Sequence, residues 1–252
     1  MNRSLARVTQ VVVSLGLLLV VWGAASSAGW LNPDFVPSPA AILRAGAELH
    51  QDGVLLSDLA VSFRRAAFGF VLGASLGVAL GLLTARLRPV GYALHPILNV
   101  LRPIPAIALA PLAIVWFGIG EPSKYFLITY TVFLAVWLNT DHGASHIAPT
   151  YIRAARSLGA GTGREFFEVV VPAAAPHIVS GLRLGAALAF LSLVAAELTG
   201  ASAGIGYRIQ EARQFFRTDR MFVGLVELGV LGGLLDFCFL QISRRVVHWE
   251  QA

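Results

Sequence analysis

Residues Arg153–Pro172 read RAARSLGAGTGREFFEVVVP, and this stretch lies between two long apolar runs. Its arginines and glutamates stand among helix-forming residues and cannot lie in lipid, where a charged side chain is costly. The stretch therefore faces water although its neighbours do not. An ordered polar segment within a mostly apolar chain indicates a surface that holds a partner.

The composition of the whole chain places it among membrane proteins. Its 252 residues are 56% hydrophobic and only 13% charged, and the mean hydropathy is +0.72. A soluble domain carries about 25% charged residues. The net charge of +5 does not indicate nucleic-acid binding, because the basic residues are scattered at the edges of apolar runs instead of forming one stripe.

Several stretches are long and apolar enough to cross a bilayer, which takes about 20 residues. We therefore predict an all-α, polytopic membrane protein with about six transmembrane helices, in which residues 1–252 form a single domain. Residues 141–177, called the inner loop below, separate the fourth span from the fifth. The predicted spans are Val8–Ala28, Ala66–Ala85, Pro96–Phe117, Tyr125–Asn139, Ile178–Leu198 and Phe222–Ile242.

The distribution of basic residues favours a cytoplasmic location for both termini, but only weakly. Basic residues on the side of the inner loop slightly outnumber those on the other side. Those closest to the termini are Arg3, Arg7, Arg244 and Arg245.

Two spans carry patterns that concern packing and the path of a solute. Glycines recur every fourth residue in the second span, which leaves a groove for close approach of another helix, within the chain or in a second subunit. The third span carries prolines and cannot be one regular helix. A broken helix at membrane depth lines a cavity or is buried in protein. The residues concerned are Gly69, Gly73, Gly77 and Gly81 in the second span, and Arg102, Pro103, Pro105 and Pro111 in the third.

Charged residues inside the later spans need protein or water around them. Arg183 lies near the inner end of the fifth span and Glu197 near its outer end. Each of them snorkels to the membrane surface, pairs with another side chain for structural reasons, or contacts a translocated solute. We regard Arg102, Pro105, Pro111, Arg183 and Glu197 as candidate pathway residues.

Other chemistries find little support in the sequence. Lys124 is the sole lysine and does not follow a glycine-rich turn, so a phosphate-binding loop of the Gly-Lys-Ser/Thr type is absent. Asp141, His142 and His146 have a spacing compatible with metal ligands, but a solvated helix end is the simpler interpretation. We predict no catalytic site, no resident metal and no cofactor bound by this chain.

The inner loop resembles that of ATP-binding-cassette importer permeases. The family's Glu-Ala-Ala motif is followed by three residues, Gly, nine residues and Ile-x-Leu-Pro. At the same spacing this chain has Arg153-Ala154-Ala155, Gly159 and Val169-Val170-Val171-Pro172. Arg153 replaces the usual glutamate, which makes any salt bridge of that glutamate to a partner doubtful here.

The resemblance extends over most of the chain and points to one subgroup. That subgroup serves aliphatic sulfonates, taurine, nitrate and bicarbonate, and also some thiamine-precursor and aromatic substrates. The matching segments are Pro105–Glu121, Gly181–Arg183, Ala195–Glu197, Gly200–Ser202 and Phe216–Asp219.

The resemblance implies a division of labour between subunits in the bacterial inner membrane. Two copies of the permease would work with two ATP-binding subunits, which hold ATP and magnesium, and with an external solute-binding protein. A coupling helix at about residues 154–167 would dock into the ATPase, with Arg164, Glu165, Phe166 and Phe167 as contacts. Pro172 would then end the inner loop before the fifth span begins.

The outer segment 200–220 carries arginines next to aromatic residues. These arginines attract an anion or contact the binding protein, or else they form a solvated interfacial face. The residues are Arg208, Arg213 and Arg217. The alternative to an ATP-driven importer is an ATP-independent channel or secondary transporter, which would have no use for a docking loop.

Overall fold

The computed structural model describes residues 2–246, with the backbone alone at residues 2–9, 11, 12, 235, 236, 238, 240 and 242–246. The terminal arginines Arg3, Arg7, Arg244 and Arg245 thus lie outside the described side chains. Within the described range all regular elements are helices, which confirms the all-α class. They are α1 (Asn2–Ser27), α2 (Pro39–Gln51), α3 (Val54–Arg86), α4 (Arg88–Leu101), α5 (Ala106–Phe117), α6 (Glu121–Ser145), α7 (Pro149–Ser157), α8 (Thr162–Gly200), α9 (Ile205–Gln214) and α10 (Thr218–Val246).

Two of these helices are clear membrane spans. By length and composition, α3 with 33 residues and α8 with 39 residues suffice to cross a bilayer. The pair α4 and α5 makes a third if it is counted as one span. Of the six predicted spans, the described part of the chain therefore supports two by length and composition, or three with the bent pair.

The predicted break in the third span is confirmed. The axes of α4 and α5 differ in direction by 103° across residues 102–105. Pro103 and Pro105 lie in this break, where their missing N–H groups and rings oppose a continuous helix. Pro111, in contrast, lies inside α5 and does not interrupt it.

The helix at the fourth predicted span is longer than that span. The sequence suggested Tyr125–Asn139, whereas α6 runs from Glu121 to Ser145. The prediction stopped short because both ends of α6 are polar. In the fold these polar groups have partners: Arg65 contacts Glu121, and Thr84 donates a hydrogen bond to Asp141.

The glycine stripe of α3 packs against α6 within the same chain. A Cβ atom on Gly69 would lie 2.6 Å from Cβ of Ile128, and one on Gly81 would lie 2.6 Å from Cβ of Thr140. From the other side, a Cβ on Gly181 of α8 would lie 2.7 Å from Cβ of Asn139. The intramolecular interpretation of the stripe is confirmed, and α6 is held between α3 and α8. Its buried side chains Ile128, Val132 and Val136 form the centre of the core.

Candidate functional site

The inner loop contains one short exposed helix, α7, which ends at a glycine turn. The helix begins at Pro149 and ends at Ser157. Gly159 then has a φ of +80°, a left-handed conformation that glycine adopts without strain. The amide of Ala160 donates a hydrogen bond to the carbonyl of Ala155 at 3.0 Å and closes the turn.

The predicted coupling helix at residues 154–167 is therefore misplaced. Its first part belongs to α7, and its second part belongs to α8, which begins at Thr162. The turn at Gly159 separates the two. Residues of both helices face outward around this turn, with Leu158 88% exposed at its tip.

Pro172 does not end the inner loop, contrary to the prediction. It lies within α8, which continues to Gly200. The turn of α8 before it, Glu165–Val170, is a π-helix. There the amide of Val171 donates to the carbonyl of Phe166, five residues back. This wider turn lets the chain pass a proline that would otherwise clash with the preceding turn.

A buried carboxylate connects α7 to two other helices. Glu165 of α8 accepts a hydrogen bond of 2.7 Å from Nε of Arg156 in α7. Its other oxygen accepts one of 2.5 Å from Nη2 of Arg86, at the end of α3. The Glu165 side chain is only 5% exposed, so water has little access to its charge. The two guanidinium groups compensate that charge instead. The hydrogen bond to Glu165 raises the pKa of Arg156, which keeps that group charged.

Of the residues on this clamp, only Glu165 was singled out from the sequence. Arg156 and Arg86 were not, because their role depends on a contact between positions 79 residues apart. The position of Arg156 in the sequence places it on the face of α7 that is turned toward Glu165, and this could have indicated its role. No sequence pattern indicated Arg86. Arg86, Arg156 and Glu165 are called the inner clamp below.

Much of the rest of the inner loop forms an exposed surface. Tyr151, Leu158 and Phe167 are exposed, whereas Phe166 packs inward against Val170 and Ala174. A groove of about 940 Å³ lies between α7 and the start of α8. Among its lining residues are Ala155, Arg164 and Pro172, while Arg153 and Ala154 lie exposed on α7.

The candidate pathway residues do not form one site. Arg102 and Pro105 line a cavity of about 310 Å³ between the α4–α5 break, α6 and α8. Arg183 lines a different cavity of about 430 Å³, between α8 and α10. Glu197 is fully buried, at 1% exposure. Pro111 lies between the buried residues Ala110 and Ala113 of α5.

Glu197 belongs to a buried ionic network at the outer end of the bundle. Its Oε1 accepts a hydrogen bond of 2.8 Å from Nη1 of Arg65, and Arg65 also contacts Glu121 at 2.6 Å. Ser62 donates a further hydrogen bond to Glu197, at 2.8 Å. The structural-pairing interpretation of Glu197 is confirmed. Arg65, Glu121 and Ser62 were missed because their partners lie on other helices.

The same network holds the start of α9. Three successive backbone amides, which no turn of α9 can pair, donate to side chains of α3 and α8. The amide of Gly204 donates to Asp58, that of Ile205 to Ser62 and that of Gly206 to Glu197, at 2.8, 2.9 and 2.8 Å. The outer segment is therefore fixed to the bundle at its first turn.

The three outer arginines have different surroundings. Arg208 donates to Asp58 at 2.8 Å and also pairs with Glu211, so it is part of the network rather than free for a solute. Arg217 pairs with Asp219 at 2.9 Å. Arg213 is exposed, and no hydrogen bond or ion pair joins it to another side chain that the structure describes. Next to it, Phe216 is 88% exposed and has a φ of +54°, which is unusual for a residue with a side chain.

The three residues considered above as metal ligands, Asp141, His142 and His146, have other contacts in the structure. Asp141 accepts a hydrogen bond of 2.6 Å from Thr84 and lies 3.0 Å from Nε2 of His95. The rings of His142 and His146 stack with centroids 4.1 Å apart. Within the described residues, no group of three or more potential ligands has the geometry of a metal site.

Comparison with known proteins supplies the context for these features. The chain is 35% identical to the taurine transport system permease protein TauC of Escherichia coli (strain K12), over 97% of this chain and 90% of TauC. It is 33% identical to the nitrate import permease protein NrtB of Synechocystis sp. (strain PCC 6803), over 97% of this chain and 91% of NrtB.

The fold also resembles a solved transporter. An inward-facing structure of the MetNI methionine ABC transporter superposes with a TM-score of 0.63 and 24% sequence identity, over 78% of this chain and 95% of that one. Residues 77–248 match the model of one protein family. On this match and on the identity to its relatives, the chain belongs to the family of binding-protein-dependent transport system inner membrane components.

Proposed function

We propose that this chain is the permease subunit of an ATP-binding-cassette importer and that its cargo is a small anion such as a sulfonate, taurine, nitrate or bicarbonate. The observation that carries the proposal is α7, a short exposed helix held by the inner clamp, in a chain that belongs to an importer permease family. The taurine and nitrate transport functions of TauC and NrtB support the choice of cargo.

The docking surface consists of α7 and the first turns of α8. Exposed apolar side chains at Tyr151, Leu158 and Phe167 offer anchors, and Arg153 and Arg164 offer charge. Such a mixture of aromatic, aliphatic and arginine side chains is typical of the energetically important part of an interface. We assign this surface to a separate ATPase subunit, which supplies ATP and magnesium.

The assembled transporter would contain two copies of the permease, two ATPase subunits and an external solute-binding protein. In this arrangement about six helices cross the bilayer, both termini lie in the cytoplasm, and the outer segment with Arg213 and Arg217 faces the binding protein. Movement of α7 by the ATPase would reach α3 and α8 through the inner clamp, because Glu165 contacts both Arg156 and Arg86.

The test is ATP hydrolysis by the chain in liposomes, reconstituted with its partner ATPase and binding protein. Taurine, longer alkanesulfonates, nitrate, bicarbonate and a neutral aromatic compound are added one at a time. Stimulation by one of the anions supports the proposal and identifies the cargo. Stimulation only by the neutral compound contradicts the anion assignment. Failure to assemble with an ATPase contradicts the importer assignment and favours an ATP-independent transporter.

A further inference from the structure

The cavity at the α4–α5 break lies at mid-height in the bundle. α6 runs from Glu121, which contacts the outer ionic network, to Ser145 near the inner loop. The cavity is lined by residues between Tyr130 and Asn139, in the central part of α6. On the α8 side it is lined by Leu184 and Leu188. Its volume of about 310 Å³ admits a small solute.

Among the described residues that line this cavity, Arg102 is the single charged one. Arg102 is exposed, and its guanidinium group has no hydrogen bond or ion pair with any of the side chains that the structure describes. An uncompensated cation at this depth is costly in lipid, by about 2.5–3.5 kcal/mol. The group therefore requires water or an anion around it.

The other polar groups of the cavity do not neutralise Arg102. Thr131 donates its hydroxyl to the carbonyl of Leu127 at 3.0 Å, and Asn139 donates its amide to Ala135 at 2.9 Å. Tyr130 donates to the carbonyl of Leu101 at 2.7 Å, which attaches the broken segment to α6. All three are neutral, and the described residues that line the cavity include no carboxylate.

The contrast with Arg65 is informative, since both arginines lie in the helical bundle. Arg65 is compensated by Glu121 and Glu197, and its side chain is 3% exposed. At Arg102 the protein provides an open cavity in place of the carboxylates. An arginine presents its donors as a planar fork, which suits a ligand with two adjacent oxygen atoms.

We infer that Arg102 binds the translocated solute within the membrane and that this solute is a small oxyanion with at least two terminal oxygens, such as a nitrate or a sulfonate. The inference rests on the proposed function and deepens it, because it locates an anion site between the outer and inner openings. Arg183 is not part of this site, since it lines a separate cavity.

The first test measures uptake and ATP hydrolysis together in liposomes that contain the complete transporter. We expect Arg102→Gln to lower the uptake of ethanesulfonate or nitrate per ATP hydrolysed by about tenfold, the effect of losing a charge-assisted hydrogen bond. ATP hydrolysis stimulated by the loaded binding protein should persist. Arg102→Lys should recover part of the uptake because it keeps the charge. Arg88→Gln is the matched control, since Arg88 is also exposed but lies at the first residue of α4, outside the cavity.

A second test uses the unmodified permease in lipid nanodiscs and does not depend on how a variant folds. Phenylglyoxal labels accessible guanidinium groups, and peptide mass spectrometry reads the label at each arginine. Ethanesulfonate should slow the labelling of Arg102 severalfold but not that of Arg88, whereas neutral ethyl methyl sulfone should protect neither. Chloride, which has no oxygen atoms, keeps the ionic strength constant.

The outcomes separate the inference from the proposed function. Unchanged uptake per ATP in Arg102→Gln, or equal labelling of Arg102 with and without the anion, would overturn the site. A complex that fails to hydrolyse ATP with any anion would overturn the proposed function. In that case the labelling of Arg102 still reports whether the cavity binds an oxyanion.

Discussion

At the scale of single residues, Glu165 has the most consequential surroundings. It is a carboxylate with a nearly buried side chain in the π-helical turn of α8, and both of its oxygens accept hydrogen bonds from arginines. Those arginines belong to α7 and to the end of α3. Since charge-assisted hydrogen bonds are directional and strong, this one side chain fixes the orientation of α7 against the bundle.

Neutralising Glu165 should therefore weaken coupling. We expect Glu165→Gln to lower uptake by about tenfold, because the amide group loses the charge assistance of both hydrogen bonds. Substrate-stimulated ATP hydrolysis should fall with it, while insertion into the membrane persists. The measurement is uptake in liposomes with the assembled transporter.

Glu168→Gln is the control for this variant. Glu168 lies three residues further along the same helix, but its side chain is 68% exposed and its pair with Arg164 spans 3.7 Å. Exposed pairs of this type contribute little, so uptake by this variant should fall far less than that of Glu165→Gln. Equal uptake in both variants would show that the inner clamp has no part in coupling.

At the scale of elements, the turn between α7 and α8 and the contact between α3 and α6 each depend on glycine. Gly159 supplies the left-handed residue that ends α7. Along α3, the four stripe glycines let the backbones of α3 and α6 come together. At Gly159 the backbone conformation requires glycine. Along α3, glycine is required because there is no space for a side chain next to α6.

A bulky residue at Gly159 should separate folding from coupling. Gly159→Trp is expected to abolish uptake while the protein still inserts, because a left-handed φ is unfavourable for a residue with a side chain, by about 1–2 kcal/mol. Gly161→Trp tests bulk alone, since Gly161 has an ordinary φ of −75° and open space around it. Normal uptake by Gly159→Trp would contradict the assignment of this turn to coupling.

A single methyl group on the stripe should destabilise the bundle. The Cβ of Gly77→Ala would lie 2.8 Å from Cβ of Val136 and 3.0 Å from the carbonyl oxygen of Phe133. Overpacking of this kind costs about 1–3 kcal/mol. Thermal unfolding of the purified permease should occur at lower temperature than for Gly229→Ala, where nothing lies within 4 Å of the added atom. Identical unfolding of the two variants would show that α3 and α6 can separate freely.

At the scale of the whole molecule, ionic contacts lie at both ends of the helical bundle. The outer network joins α3, α6, α8 and α9 through Arg65 and Glu197. The inner clamp joins α3, α7 and α8. Between them, α6 is packed closely against its two neighbours. We expect α3, α6 and α8 to move as one body when α7 is displaced.

Breaking the outer network should therefore affect the stability of the whole fold. Glu197→Gln leaves the buried Arg65 with one carboxylate partner in place of two, and breaking a buried pair costs about 3 kcal/mol. Arg217→Gln removes an ion pair whose arginine is 45% exposed. The expected loss of folding stability is about 0.5 kcal/mol. Thermal unfolding in detergent compares the two, and an equal change in both would contradict a structural role for the network.

The sequence by itself determined the membrane class, the helical fold and the broken third span. These features follow from local properties, namely apolar length and the missing N–H groups at prolines. Tertiary structure decided the rest. α6 extends through its polar ends because Arg65 and Thr84 pair with them, and α8 passes Pro172 through a π-helical turn. Glu165 and Glu197 acquire their roles from arginines 79 and 132 residues away, and such pairings arise only when the helices have packed.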